Sequence, residues 1–247
     1  MSNTLRQDIC ELKDPGSLTM ESRPKQTALN SIEYACVHWF DHLCQHNSKI
    51  VENSQELDDK GKLHTFFAEH LLHWLESLGI VREISASILI IKSLLQSVQS
   101  TPNSEFAKLL QDSMRLVLTY GSTIEQAPLQ VYSGALVFYP ENSEIERLFS
   151  NSRLPFVRSV TGVQKNWNSC LQVLEGHGNS PVNDVRFSPD GQTLATASTD
   201  YTIKLWDATT GIMKQILEGH KGPINSISFL QDSQSLVLGS EDGTVLS

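Results

Sequence analysis

His177, Ser198 and Asp200 supply the three side chains that acyl-transfer chemistry uses: an imidazole base, a hydroxyl nucleophile and an orienting carboxylate. The same types return as His220, Ser240 and Asp242. Partners stand 42–43 residues apart, and the match extends to Phe187 with Phe229, Asp190 with Asp232 and Leu194 with Leu236. Recurrence at a fixed period marks a repeated structural unit. The spacing suits a polar network more than a nucleophile, and every polar group taken out of water needs a partner.

Two other chemistries can be weighed. Six of the eight histidines fall between His38 and His73. His38, His42 and His46 are spaced to share a helix face, and His70 and His73 lie one turn apart beside Glu69. Such spacing can chelate zinc, but no HExxH or paired CxxC accompanies it, so histidines flanking Trp39 and Trp74 are the expectation and no metal is assigned. Nucleotide hydrolysis needs GxxxxGK[ST] to cradle the phosphates. The Gly61-Lys62 pair is followed by Leu63 and has Glu56 where the first glycine belongs, so no phosphate cradle and no cofactor are expected.

Each repeat reads as a set of short strands. Val182, Val185 and Phe187 suit a buried inner strand. Ser188-Pro189-Asp190-Gly191 is a turn, with Pro fixing φ and Gly allowing positive φ. Thr193–Ser198, Thr202–Trp206 and Ile212–Leu217 complete four strands. Cys170–Leu174 reads as the outer strand of a further sheet, leaving an unpaired edge. Gly176-His177 near the start and Trp206-Asp207 at the end make this unit resemble a blade of the WD-repeat β-propellers. That resemblance implies a buried tetrad of His177, Ser198, Asp200 and Trp206. The counterparts in the second unit are His220, Ser240 and Asp242. Propellers usually have about 4–8 blades. The expectation here is an incomplete propeller, about one complete blade plus part of a second, within something larger.

Residues before about 160 are different in kind. Ile32, Cys36, Trp39, Phe40 and Leu43 fall on one helix face. Leu63 to Leu78 carries a second apolar stripe ended by Gly79, and Ile84 to Val98 a third. Phe106 to Leu118 carries a fourth, opened by an N-cap at Ser104 and ended by Gly121. Pro128 opens a shorter helix through Val137, and Ser143 with Glu146 forms a capping box for a last one. Asn47–Lys62 reads as a loop. The fold class is α+β multidomain, an all-α helical array followed by the propeller part. The divisions are 1–28 (extended segment), 29–150 (helical connector), 151–169 (linker) and 170–247 (WD repeats).

Composition narrows the partners. A net charge of -9 over 247 residues speaks against a nucleic-acid surface. No apolar run approaches a membrane span, and the first residues lack the core of a secretory signal. Cys10, Cys36, Cys44 and Cys170 read as free thiols in a cytoplasmic protein.

The segments LRQDICELKDPG (5–16), YACVHWFDHL (34–43), HTFFAEHLLHWLESL (64–78), IEQAPLQVYSGALVFYP (124–140) and WNSCLQVLEGH (167–177) resemble one family. It is the fungal NACHT and WD-repeat proteins, heterokaryon-incompatibility proteins among them. The resemblance implies a helical connector that follows a nucleotide-binding module and the start of a sensor propeller. It implies a non-enzymatic protein-interaction and regulatory region, with protein partners at the propeller loops. The alternative is a free-standing WD-repeat adaptor, of the organelle-division or ubiquitin-transfer type. The open blade edge adds self-association as a further expectation.

Overall fold

The computed structural model describes residues 5–17, 33–46, 59, 61–98, 104–153 and 162–246. The chain divides into two compact units, Met1–Leu171 and Gln172–Ser247.

The first unit is helical. Its helices are α1 (Glu33–His46), α2 (Lys62–Val81), α3 (Ile84–Ser97), α4 (Glu105–Gln126), α5 (Gly134–Val137) and α6 (Glu144–Phe149). Short 3-10 turns lie at Pro128–Val131 and Ser150–Ser152. The expected single helix after Pro128 is thus two pieces, interrupted at Tyr132 and Ser133. Trp74, Phe67, Leu71 and Leu75 of α2 are buried with Ile91 and Leu94 of α3 and Phe106 and Leu110 of α4. Ser104 caps α4 by accepting the Ala107 N–H at 3.0 Å, and Ser143 caps α6 by accepting that of Glu146 at 3.1 Å. Glu146 does not complete a capping box; its carboxylate pairs with Arg153 at 2.6 Å. Most of the expected loop 47–62 lies outside the described residues, and its last residue, Lys62, already opens α2. Among the described residues, no helix is long and apolar enough to cross a membrane.

Gly79 and Gly121 do not end their helices. Helix α2 runs two residues past Gly79 and closes on Arg82, whose φ of 61° is left-handed. Gly79 is instead a contact point between α2 and α4: a Cβ there would stand 2.6 Å from the Ile124 carbonyl oxygen. Helix α4 likewise continues through Gly121 to Gln126.

Part of the expected linker belongs to the helical unit. Trp167 packs edge-on against Tyr139 at 4.6 Å between ring centroids and donates its indole N–H to Asp112 at 2.8 Å. The Arg115 guanidinium covers the same indole and donates to the Asn168 carbonyl.

The second unit is all β. Strands β1 (Val182–Phe187), β2 (Thr193–Ser198), β3 (Ile203–Asp207) and β4 (Met213–Leu217) form an antiparallel meander in that order. Strands β5 (Ile224–Phe229), β6 (Leu236–Ser240) and β7 (Val245–Leu246) repeat its first three. Both copies carry an irregularity at the same place, between Val182 and Asp184 and between Ile224 and Ser226. The two sheets bury Ala195, Ala197 and Ile203 against Ile224, Ile227, Leu236 and Leu238. Two sequence expectations are corrected here. Residues 170–174 are in no strand, since the described residues offer them no sheet to pair with. Val182, Val185 and Phe187 are 47%, 50% and 64% exposed rather than buried. Their counterparts Ile224 and Ile227 are buried because they face the four-stranded sheet, whereas among the described residues nothing covers the first set.

Helix-interior glycine ordinarily gains about 1 kcal/mol on substitution by alanine. Gly79→Ala should instead cost about 1–3 kcal/mol, because the new methyl meets backbone. Gly121→Ala meets the Ile84 side chain at 3.0 Å and should cost less. Urea unfolding of the two variants checks the order.

Candidate functional site

The first sheet holds its polar network between β2, β3 and the turns that flank them. His177 enters after Gly176, where the Trp206 ring leaves no room for a side chain: a Cβ would come 2.6 Å from Trp206 Cη2. The imidazole is buried. Its Nδ1 lies 2.8 Å from Asp200 Oδ2 and its Nε2 lies 2.7 Å from Thr196 Oγ1. Trp206 donates its indole N–H to the same hydroxyl at 3.0 Å. A carboxylate beside Nδ1 makes that nitrogen the donor, so Nε2 accepts the Thr196 proton. Lys204, also buried, donates its Nζ to the Gly176 carbonyl and lies 3.9 Å from Asp200.

Three of the expected residues, His177, Asp200 and Trp206, meet here. Ser198 does not. Its hydroxyl donates to the Pro181 carbonyl at 2.9 Å and accepts the Asp200 N–H at 3.2 Å, so it ties the β2–β3 turn to the segment before β1. The hydroxyl that links His177 to Trp206 is that of Thr196. Register is the reason: Thr196 lies opposite Lys204 in mid-strand, on the same strand face as Leu194, the partner of Trp206, while Ser198 lies at the strand end opposite Val182.

The second copy differs. His220 Nδ1 is 2.9 Å from Asp242 Oδ2 and 3.0 Å from Thr244 Oγ1. Ser240 donates to the Gly222 and Pro223 carbonyls at 3.1 Å each, as Ser198 does to Pro181. Leu238 stands where Thr196 stands in the first copy, and His220 Nε2 is buried with no hydrogen-bond partner among the described residues.

Electrostatics follow the contacts. Burial would raise the Asp200 carboxyl, but hydrogen bonds from Thr202 and His177 outweigh it and hold the group below its ordinary range. Hydrogen bonds from Thr244 and the Lys221 amide hold Asp242 well below it too. Both aspartates therefore stay ionised beside their imidazoles. The Asp200–His177–Thr196 order is that of an activated hydroxyl, yet Thr196 is itself buried and its oxygen already accepts the Trp206 N–H. That leaves no room for an attacking geometry, and the network acts as a strut between β2, β3 and the 174–178 segment.

The histidines near α1 and α2 are dispersed in function. His38 bonds Asp41 at 3.3 Å and His42 bonds the Tyr34 hydroxyl at 3.1 Å. The side chain of His46 lies outside the described residues. His70 and His73 stack at 5.9 Å between centroids. Among the described residues, no three His, Cys, Asp or Glu side chains converge to hold a metal. Among the described residues of the helical unit, one acidic side chain that the sequence did not single out is fully buried. Glu76 of α2 has no exposed surface and accepts the Tyr132 hydroxyl at 2.6 Å and the N–H groups of Asp8 and Ile9. Its place four residues after Leu72, on the buried face of α2, was the available signal.

The comparisons with known proteins agree with this architecture. The family described as WD domain, G-beta repeat matches residues 168–207 and 211–246. Vegetative incompatibility protein HET-E-1 of Podospora anserina is 38% identical over 216 residues, 85% of this chain and 16% of the relative. Periodic tryptophan protein 2 homolog of Dictyostelium discoideum is 40% identical over 58 residues, 23% of this chain and 6% of the relative. Notchless protein homolog of Arabidopsis thaliana is 46% identical over 50 residues, 20% of this chain and 10% of the relative. The chain thus spans a small part of each relative's length. Residues 168–207 and 211–246 match WD repeats, and the resemblance to the fungal NACHT and WD-repeat proteins extends over most of the chain.

Thr196→Val keeps the shape of the side chain and removes the hydroxyl. It should destabilise the first sheet by about 1–3 kcal/mol, since His177 Nε2 and Trp206 Nε1 are both left unpaired. Asp200→Ala should cost a similar amount by freeing His177 Nδ1. Ser198→Ala leaves the imidazole and indole paired and should cost less. Amide exchange of β2 and β3 reads all three.

Proposed function

We propose, taking as premise WD repeats joined to a helical region shared with a fungal vegetative incompatibility protein, that this chain is a non-enzymatic protein-interaction and regulatory region of a NACHT–WD-repeat signalling protein. The observation that carries the reading is the extent of the match. It reaches 85% of the chain, so it takes in the helical unit as well as the repeats. The helical unit is then the connector, and the WD repeats are the part that recognises a protein ligand through its loops. Relay between them requires an arrangement with two states that a ligand can bias. The buried, internally bonded networks support a scaffold over a catalyst. The net charge favours protein over nucleic-acid partners. The buried free thiols Cys10 and Cys36, both pushed up to about 11 chiefly by burial, suit a cytoplasmic setting.

The short matches of 58 and 50 residues to other WD-repeat proteins support a second reading, a WD-repeat adaptor that scaffolds a complex or pairs with a second copy along a sheet edge.

Sequencing the full transcript separates the two. The first reading expects a continuous frame with GxxxxGK[ST] upstream and further Gly-His to Trp-Asp units downstream. A transcript with no upstream phosphate-binding loop would overturn it and leave the adaptor.

A further inference from the structure

Residues 5–17 carry no helix or strand, yet they are built into the helical unit. Leu5, Ile9 and Cys10 are buried, with Leu12 packed beside them. The segment shapes itself around Asp8, whose carboxylate accepts the N–H groups of Leu12 at 2.6 Å and Lys13 at 2.9 Å. Asp8, Glu11 and Lys13 have φ of 51°, 56° and 64°, left-handed conformations that aspartate tolerates but that are costly for glutamate and lysine.

Two side chains of the helical body hold this strained segment by hydrogen bonds. Gln130 donates to the Pro15 carbonyl at 3.0 Å. Glu76 accepts Asp8 N–H at 3.0 Å and the Tyr132 hydroxyl at 2.6 Å on Oε2, and Ile9 N–H at 2.9 Å on Oε1. Three donors thus converge on one fully buried carboxyl group. We propose that residues 5–17 are a releasable clasp on the helical unit, latched where the Asp8 and Ile9 amides and the Tyr132 hydroxyl meet on the buried Glu76 carboxyl.

The two protonation states compete closely at this latch. The ionised carboxylate keeps all three hydrogen bonds but is charged without water. The neutral acid is cheap to bury but gives up one acceptor to its own proton. Burial wins, and the carboxyl is raised to about 7 against the opposing hydrogen bonds from Tyr132, Ile9 and Asp8. The other titratable groups that face it are Asp8 and Cys10 on the clasp and Tyr132 on the 3-10 turn, with His73 beside the Tyr132 ring at 6.2 Å. Burial raises Cys10 to about 11 and Tyr132 well above its ordinary range, so neither ionises near neutral pH. Burial, with His70 next, lowers His73.

The sign follows from linkage. The closed clasp keeps a proton that an exposed glutamate would lose above pH of about 4.3. Closure is therefore fully supported below that pH and weakens as pH rises, until the closed form itself ionises near 7.

The experiment is amide exchange on the full chain from pH 5 to 8, corrected for intrinsic rates, following peptides within 5–17 against peptides of α4. The expected result is that protection of 5–17 is lower than that of α4 and falls about tenfold per pH unit between 5 and 7, levelling above. Glu76→Gln should abolish the dependence, and His73→Gln should keep it. Where Glu76→Gln does not fold, Tyr132→Phe serves instead: it removes a donor to the carboxylate and should move the midpoint to higher pH. Protection of 5–17 equal to that of α4 would overturn a separate clasp. A flat profile in the unmodified chain, a profile lost in His73→Gln, or an unmoved midpoint in Tyr132→Phe would overturn the Glu76 latch.

Discussion

An imidazole removed from water is costly to leave without partners on its ring nitrogens, and the first sheet is organised around meeting that condition. In the first sheet Asp200 takes one nitrogen and Thr196 the other, and Trp206 closes the network onto the same hydroxyl. Each member fixes something larger. Asp200 sits in the β2–β3 turn, Thr196 in mid-strand, Trp206 on β3, and His177 on the segment before β1. One saturated set of hydrogen bonds therefore sets the place of four parts of the sheet. In the second sheet the carboxylate side of the condition is met and the other is not, because Leu238 offers no hydroxyl to His220. Leu238 contributes apolar burial between the sheets instead. The two copies thus divide the same position between a polar strut and core.

That division explains what could be read in the sequence. Ser198 is expected in the network from its place in the WD-repeat motif, and Ser240 matches it in the second copy. The shared serine has a shared task, since both hydroxyls tie the turn to carbonyls just before the first strand of each sheet. The network hydroxyl is present in one copy alone, so recurrence between the copies does not mark it. Spacing could not repair this: Thr196 and Ser198 are two residues apart and share a strand face. The choice between them needs the register of β2 against β3, which is tertiary information.

Helices show the same limit from another side. The apolar stripes of α2, α3 and α4 locate the helices well, because burial of a 3.6-residue period leaves its mark in composition. Gly79 and Gly121 carry a local signal for stopping and a nonlocal one for close packing, and the sequence does not say which applies. The same holds for Glu76. A glutamate in an apolar face is ordinarily costly, and here its donors come from residues 8, 9 and 132. Their convergence on one carboxyl is invisible until the chain is folded.

Burial of the strands belongs to the stack of sheets rather than to the sheet. Val182 and Ile224 occupy the same place in their copies, as do Val185 and Ile227, yet one set is exposed and the other buried. Apolar faces alone would let two such sheets slide, since the hydrophobic effect is nondirectional. Polar pins remove that freedom. Asp184 accepts the Ile227 N–H at 3.0 Å, and Asn183 donates to the Ile224 carbonyl at 2.9 Å and contacts Asn225 at 3.2 Å. These bonds run from β1 of one sheet to β5 of the next, the inner strands of the two copies, and each inner strand is also the one with the irregularity. The irregularity turns Asn183 and Asp184 toward the neighbouring backbone, so a local fault in strand pairing supplies the contacts that register one sheet on another. In the second copy Asn225 keeps the amide while Ser226 replaces the aspartate. The Asn225 amide donates to Glu241 at 3.1 Å within the second copy, so the bonds from Asn183 and Asp184 are the ones that register the first sheet on the second.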